Sequence, residues 1–142
     1  MNYKNKELAL RNSKGFTLVE LLVVIAIIGI LASIAMANLS NARKSAKDAA
    51  IKSAIQEGAK IAEIFFDDTG DYDLICADPR ITGGVIEASI SSNGGSFVCG
   101  DDVAGYCLSS TLNMGGSVCV DGYRELKYGF VCDVTGNDIV CD

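Results

Sequence analysis

Residues 16–37 form an apolar run that contains no proline and a single charged side chain, that of Glu20. As an α-helix rising about 1.5 Å per residue, this run would span roughly 33 Å, enough to cross the ~30 Å hydrocarbon core of a bilayer. Residues 1–15 carry four basic residues against one acid, and this excess predicts an amino end held in the cytoplasm. We therefore expect a single-pass membrane segment at residues 16–37, with the chain beyond it outside the cytoplasm.

A secretory signal peptide is the alternative interpretation of this run. Signal peptides have an apolar region of about 7–15 residues, followed by small residues at a cleavage site. The run here is longer, but Ala32-Ser33-Ile34-Ala35 offers the small residues that cleavage requires. Both interpretations export the downstream chain, and they differ in whether the apolar helix is retained.

The exported part is acidic and contains every cysteine. From Asp67 onward there are thirteen acidic and three basic residues, and all six cysteines lie between Cys76 and Cys141. The acidic surface argues against contact with nucleic acid, whose phosphates need cationic groups. An even number of cysteines in a small Gly-rich exported segment predicts disulfides, and the lack of close cysteine pairs argues against zinc.

The sequence contains no histidine. Ser–His catalysis is therefore unavailable, and the commonest metal ligand is missing. We predict that the chain is not an enzyme and has no cofactor or metal site, with carboxylate chemistry left as the open route for an enzyme. The acidic stretches at residues 67–73 and 133–138 match no EF-hand loop and are expected to be solvated turns rather than calcium sites.

Residues 38–70 are typical of an amphipathic helix. Apolar residues recur at spacings of three and four, which places them on one face; they are Ile51, Ala54, Ile55, Gly58, Ala62 and Phe65. No proline separates this segment from the apolar run, so we expect one continuous helix over residues 16–66, with Gly70 as a left-handed C-cap. The basic cluster Arg43, Lys44 and Lys47 is expected to be a solvated helix face, with lipid headgroups or a neighbour's acidic surface as alternatives.

The sequence pattern of residues 71–142, in which Gly, Ser, Asn and Asp separate short β-type runs, predicts short β-strands. The expected fold class is α+β, with one long amino-terminal helix packed on a small antiparallel sheet that disulfides hold together. The candidate strands lie at residues 84–86, 105–109, 117–120, 125–132 and 139–141.

The last two candidate strands predict a specific disulfide. A two-residue turn at Gly136-Asn137 places Cys132 opposite Cys141 at a non-hydrogen-bonded pair, where Cα atoms are about 4.5 Å apart, so we predict a bridge between them. The same symmetry places Cys107 opposite Cys119, which leaves Cys76 and Cys99 as the third pair. Other pairings stay open, because connectivity cannot be deduced from cysteine positions alone.

The segment Lys14-Gly15-Phe16-Thr17-Leu18-Val19-Glu20-Leu21-Leu22 combines a basic leader, a Gly-Phe junction, an acid at the fifth position after the junction and an apolar continuation. This combination resembles the amino-terminal signature of the type IV pilin family, which includes the pseudopilins of type II secretion. The strict match covers residues 14–36. The layout of a long helix, a small β-region and late disulfides is also similar to that family.

The resemblance implies a sequence of processing steps. In the family, a prepilin peptidase cuts after the glycine and the new amino-terminal phenylalanine is N-methylated. Cleavage is thus expected between Gly15 and Phe16, with methylation of Phe16 and removal of the leader, residues 1–15. Glu20 is expected to set the register between subunits by pairing with the Phe16 ammonium of a neighbouring copy, because an unpaired buried charge is strongly penalised.

The expected partners are other copies of the chain, the peptidase and methyltransferase, an assembly platform in the membrane and the lipid bilayer. The precursor would sit in the cytoplasmic membrane, and the assembled filament on the cell surface. Two alternatives are a pseudopilin of a type II secretion system and a membrane-anchored, disulfide-rich binding domain that never polymerises. One departure is Ala37, which stands where family members often have proline, so no proline kink is expected there.

Overall fold

The structure, a computed structural model, describes residues 15–123, 125–133 and 139–142. The chain divides into two compact units, Met1–Asn38 and Leu39–Asp142. Helix α1, Leu18–Thr69, begins in the first unit and ends in the second, which confirms the prediction of one continuous helix. In the described part of the chain, α1 is the one helix that is long and apolar enough to cross a membrane.

Helix α1 ends at Thr69, beyond the predicted end at residue 66, and Gly70 is its left-handed C-cap, as predicted. Gly70 has a φ of 90°, in the left-handed region, and its N–H donates to the carbonyl oxygen of Phe66 at 2.7 Å. Glycine adopts this conformation without the steric cost that a Cβ would impose, and it closes the last turn of the helix.

The second unit is an α+β structure. Beyond α1 it contains a 3-10 turn (Ile75–Ala77), helix α2 (Val85–Ser92) and strands β1 (Phe97–Asp101), β2 (Tyr106–Thr111), β3 (Ser117–Asp121), β4 (Lys127–Tyr128), β5 (Cys132–Asp133) and β6 (Val140–Cys141). Strands β1 to β4 form an antiparallel sheet in sequence order, and β5 pairs with β6 in a second sheet. The predicted fold class is confirmed.

The core lies between the outer half of α1 and the four-stranded sheet. Ile51, Ile55 and Ala62 are completely buried, as the apolar stripe predicted, and they join a cluster with residues of α2, β2 and β3. Gly58 lies on the same face, and a Cβ at this position would come within 2.6 Å of a methyl group of Leu108. The glycine therefore allows β2 to approach the helix closely.

Three parts of the β-region differ from the prediction. Residues 85–92 form helix α2 rather than a strand, because Ile86 and Ile90, four residues apart, are both buried on one helical face. Strand β1 was not predicted. The strand predicted over residues 125–132 is interrupted at Gly129, whose φ is 84°, so that β4 pairs with β3 while β5 pairs with β6.

The structure joins four cysteines differently from the prediction. The bridges are Cys107–Cys132 and Cys119–Cys141, with Cα separations of 5.6 and 5.8 Å, rather than Cys132–Cys141 and Cys107–Cys119. Cys132 does lie opposite Cys141 in the β5–β6 register, as predicted. The predicted turn at Gly136-Asn137 lies outside the described residues.

The physical reason for the different pairing is the way in which the two sheets meet. In the β2–β3 register, Cys107 lies opposite Asp121 and Cys119 lies opposite Ser109, so the two cysteines are offset by two positions. Such diagonal neighbours are about 7–8 Å apart, beyond the usual Cα range of a disulfide. The four cysteines instead form one buried cluster in which each bridge connects one sheet to the other. Cys76 and Cys99, the remaining pair, are joined and link the 3-10 turn to β1.

A buried carboxylate ties the β2–β3 connection to helix α1. Asp48 is 5% exposed, and its Oδ1 accepts hydrogen bonds from the backbone N–H and the side-chain amide of Asn113, at 2.6 and 2.8 Å. Its Oδ2 accepts from the backbone N–H of Met114 at 3.0 Å. Burial acts to raise the pKa of Asp48, but these hydrogen bonds outweigh burial and hold the pKa below its ordinary value of 3.8.

We expect Asp48→Ala to destabilise the second unit by about 1–3 kcal/mol, because it removes three hydrogen bonds to a buried carboxylate and leaves the donors of Asn113 and Met114 without this acceptor. A depressed carboxylate pKa contributes stability that is complete above the unfolded pKa and is lost as the pH falls through the folded pKa. The difference in unfolding free energy between the wild type and Asp48→Ala should therefore be constant near neutral pH and should shrink below pH 3.8.

Chemical denaturation of the detergent-solubilised protein, followed by tyrosine fluorescence, measures this difference. Asp73→Ala removes an exposed carboxylate and serves as the control, with an expected change within about 0.5 kcal/mol. A difference for Asp48→Ala that did not change with pH would contradict the role of the ionised carboxylate.

Candidate processing and assembly site

The Gly-Phe junction lies in exposed, non-helical backbone immediately before α1. Gly15, Phe16 and Thr17 have no regular secondary structure, and the Phe16 side chain is 83% exposed. The helix begins at Leu18, two residues after the junction. A peptidase needs an accessible peptide bond that it can bind in an extended form, and the start of the helix leaves the Gly15–Phe16 bond outside the helical hydrogen-bond network.

The first turn of α1 is closed by a reciprocal set of hydrogen bonds between Thr17 and Glu20. The Glu20 carboxylate oxygen Oε2 accepts from the Thr17 backbone N–H at 2.9 Å and from the Thr17 hydroxyl at 2.8 Å. The hydroxyl oxygen in turn accepts from the Glu20 backbone N–H at 3.2 Å. This is a capping box, in which a threonine at the N-cap and a glutamate three residues later satisfy backbone donors that a helix start leaves unpaired.

The capping box occupies only part of the carboxylate. Both bonds from Thr17 end on Oε2 of Glu20, and none of the hydrogen bonds among the described residues ends on Oε1. An ionised carboxylate has about four lone-pair sites on its two oxygens, so Glu20 can accept further donors while it caps its own helix. Its position in the first turn is also favourable because the helix dipole is positive there.

The predicted site residues fall into two groups. Gly15, Phe16 and Glu20 lie within six residues at the start of α1, in the first unit, while all six cysteines form bridges in the second unit. Sequence reasoning did not include Thr17, although the spacing Thr-x-x-Glu before an apolar run is the signature of a capping box. Among the described residues, no group of three or more acidic or cysteine side chains is placed to hold a metal ion.

An exposed Gly-Phe junction, a capped acid in the first turn, an exposed apolar helix segment and a disulfide-linked α+β unit are the features by which the chain resembles the type IV pilins. In agreement, residues 10–36 match the sequence family described as "Prokaryotic N-terminal methylation motif". The prediction of a type IV pilin-like protein is confirmed.

The chain is also similar to a particular pilus protein. It is 46% identical over 63 residues to the "Type IV wide pilus major component PilA4" of Thermus thermophilus. The aligned region covers 44% of this chain and 48% of the relative, so the chain spans about half the length of the curated relative it matches. No solved structure gives a significant match.

We expect Thr17→Val to weaken the start of α1 by about 0.5–2 kcal/mol, because the variant loses the hydroxyl that caps the Glu20 N–H. At about 1 kcal/mol, the Glu20 amide proton should exchange with solvent roughly fivefold faster in detergent-solubilised protein. Thr17→Ser keeps the hydroxyl and is the matched control. Equal exchange rates in Thr17→Val and wild type would show that the capping box does not stabilise the helix start.

Proposed function

We propose that this chain is the precursor of a structural subunit of a type IV pilus-like filament. The precursor is inserted in the cytoplasmic membrane with its amino end inside, is cleaved between Gly15 and Phe16, and is N-methylated at Phe16. The mature subunit then polymerises through the apolar half of α1, residues 16–37, with residues 71–142 facing outward. In this role the chain is a substrate of the peptidase and methyltransferase and is handled by an assembly platform in the membrane.

The observation that carries this proposal is that the apolar part of α1 is exposed from Leu18 to Met36. Fourteen large apolar side chains between Phe16 and Met36 are exposed. Burial of one such side chain is worth about 1.5–3 kcal/mol, so leaving all of them in water would cost more than the ~5–15 kcal/mol by which a typical domain is stable. Lipid can cover this surface in the precursor, and the helices of other copies can cover it in a filament.

Close packing between such helices is supported by small residues. Gly29 and Ser33 are four residues apart on one face, a spacing that lets helix backbones approach within the membrane. The Ser33 hydroxyl donates to the carbonyl oxygens of Gly29 and Ile30, at 3.0 and 2.8 Å, and so needs no polar partner from outside the helix. Apolar contact can then provide adhesion without providing register.

Glu20 supplies the register in this proposal. A carboxylate inside a bilayer costs a few kcal/mol, less near the interface, and the Thr17 capping box offsets part of that cost. Cleavage after Gly15 creates an ammonium group at Phe16, and this group on one subunit can pair with the Glu20 carboxylate of the next. A displaced register would leave one of the charges buried without its partner, at a cost of about 3–5 kcal/mol.

The similarity to a wide-pilus major component favours a pilus over a secretion pseudopilus. We propose long fibres on the cell surface rather than a short structure confined beneath it.

Filaments sheared from cells and examined by intact-mass spectrometry should contain a subunit that begins at N-methylated Phe16. Electron microscopy should show fibres that are absent when the chain is deleted. A mature chain beginning beyond Ala35 would show that the apolar helix is shed as a signal peptide. Protein found only as detergent-extracted monomer, even when overproduced, would favour the membrane-anchored binding domain that never polymerises.

We further expect Glu20→Ala to insert and to be cleaved after Gly15, but to lose most filament yield. The variant keeps the apolar run, so membrane insertion is preserved, while the partner of the Phe16 ammonium is missing. The measurement is the amount of subunit in sheared filaments relative to the amount in the membrane. Thr17→Val is the matched control, because it disturbs the same capping box but keeps the Glu20 carboxylate. Filament yields that fell equally in both variants would indicate that Glu20 acts only as a cap.

A further inference from the structure

The outer half of α1 carries a basic face that has no ionic partner within residues 15–123, 125–133 and 139–142. Arg43, Lys44 and Lys47 are all exposed. None of them takes part in an ion pair with any residue that the structure describes. We refer to these three residues as the basic face.

The basic face continues the buried face of the same helix. Lys44, Asp48, Ile51 and Ile55 follow each other at intervals of four, three and four residues, which places them on one side of α1. From Asp48 onward this side is covered by the β2–β3 connection and the sheet, and the two isoleucines are completely buried. One turn earlier, at Lys44, the cover ends and the side chains become basic.

The other end of α1 has the opposite charge. Asp67 and Asp68 are exposed in its last turn, and Asp71 follows the C-cap Gly70; we refer to these three aspartates as the acidic end. The residues that flank them, Phe66 and Tyr72, stack with their ring centroids 4.7 Å apart. Both rings line an open groove of about 600 Å³, which also includes Asp102 and Tyr123.

The acidic end is unfavourable in an isolated subunit. The carboxyl terminus of a helix carries a partial negative charge, so acids in the last turn oppose the dipole, and the last turn of α1 contains no basic residue. Arg80 lies near enough to Asp68 for this carboxylate to help raise the pKa of the guanidinium, but Arg80 forms its ion pair with Asp78. Cations brought from outside would relieve the remaining repulsion. Arginine suits such a place because its guanidinium can pair with a carboxylate and also lie against an aromatic ring, and the groove offers both.

We propose that the basic face of one subunit docks on the acidic end and adjoining groove of a second copy of this chain. The proposal rests on the proposed function, because it requires copies that lie side by side. Lys44 and Asp68 are 24 positions apart on α1, which corresponds to about 36 Å along the helix. The two copies are therefore displaced by about this distance along their common axis.

Because the two copies are displaced along the axis, the proposed contact builds an open filament rather than a closed dimer. Two antiparallel copies could satisfy both patches in a closed dimer, but subunits that leave one membrane in one orientation are parallel. Each copy then uses its basic face on one neighbour and its acidic end on another. A contact between two different surfaces that does not close generates an open helical filament.

Charge reversal on either side tests the docking. Lys44→Glu/Lys47→Glu and Asp67→Lys/Asp68→Lys should each lower the yield of sheared filaments by about tenfold or more, because like charges would face each other. The four-residue variant that combines both reversals should recover to within about twofold of wild type, since the sign of each charge pair is restored. Lys60→Glu, at an exposed position outside both patches, is the control. The amount of subunit in the membrane shows that each variant is made and inserted.

The outcomes separate the possible occupants. Loss of filaments from the basic reversal alone, with no effect of the acidic reversal and no recovery in the combined variant, would assign the basic face to lipid headgroups and overturn the proposal. Normal yields in both reversals would overturn it as well. Absence of fibres from the wild type would instead refute the proposed function on which the docking depends.

A crosslinking experiment tests the same contact without mutation. In wild-type filaments, a zero-length carbodiimide should join Lys44 or Lys47 to Asp67, Asp68 or Asp71, and the yield should fall as salt screens the approach. Within one chain, Lys47 and Asp68 are about 30 Å apart on a single helix, so a crosslink between them must connect two copies. Crosslinks from these lysines only to other acids would contradict the proposal.

Discussion

The uncovered apolar surface of α1 is the constraint on which the rest of the protein depends. The side chains of residues 16–36 are exposed, yet the helix continues into a unit that has its own buried core. Such a helix is unstable in water and stable in lipid or among similar helices. In the proposed function, membrane storage followed by lateral association would use the same surface twice, and nothing in the apolar run would have to change between the two states.

Apolar contact between two helices does not fix their relative position along the axis, so this position depends on the polar groups of α1. Thr17 holds the Glu20 carboxylate within the subunit's own first turn, while the second carboxylate oxygen is left for another donor. Farther along, the basic face and the acidic end put charges of opposite sign at separate levels of the helix. Polar pairing at these levels would determine how copies align, and apolar contact would determine how strongly they adhere.

The second unit has a small core and depends on additional crosslinks for its stability. A segment of this length buries limited apolar surface, and disulfides of about 2–4 kcal/mol each compensate. Two of the bridges connect the two sheets, and the third links the 3-10 turn to β1. Asp48 on α1 accepts hydrogen bonds from the β2–β3 connection, so this hairpin is stabilised by the helix as well as by the hydrogen bonds between its strands.

Much of this architecture follows from local sequence patterns. Hydrophobic periodicity predicted α1 and its buried stripe, Gly70 marked the end of the helix, and the turn geometry predicted the β5–β6 register. The Thr17–Glu20 capping box was also readable from its spacing, although it was not predicted. These features depend on residues close together in the chain, where spacing and backbone preference are sufficient.

Other features depend on contacts that local patterns do not contain. The segment at residues 85–92 is helical because Ile86 and Ile90 face a core built by other elements, and Asp48 meets Asn113 across 65 residues. The sequence by itself determined the apolar helix, its processing signature and the presence of a disulfide-rich α+β unit. Only the tertiary structure decided how Cys107, Cys119, Cys132 and Cys141 pair, because their bridges depend on how two sheets lie against each other, and neither strand spacing nor hairpin symmetry specifies that arrangement.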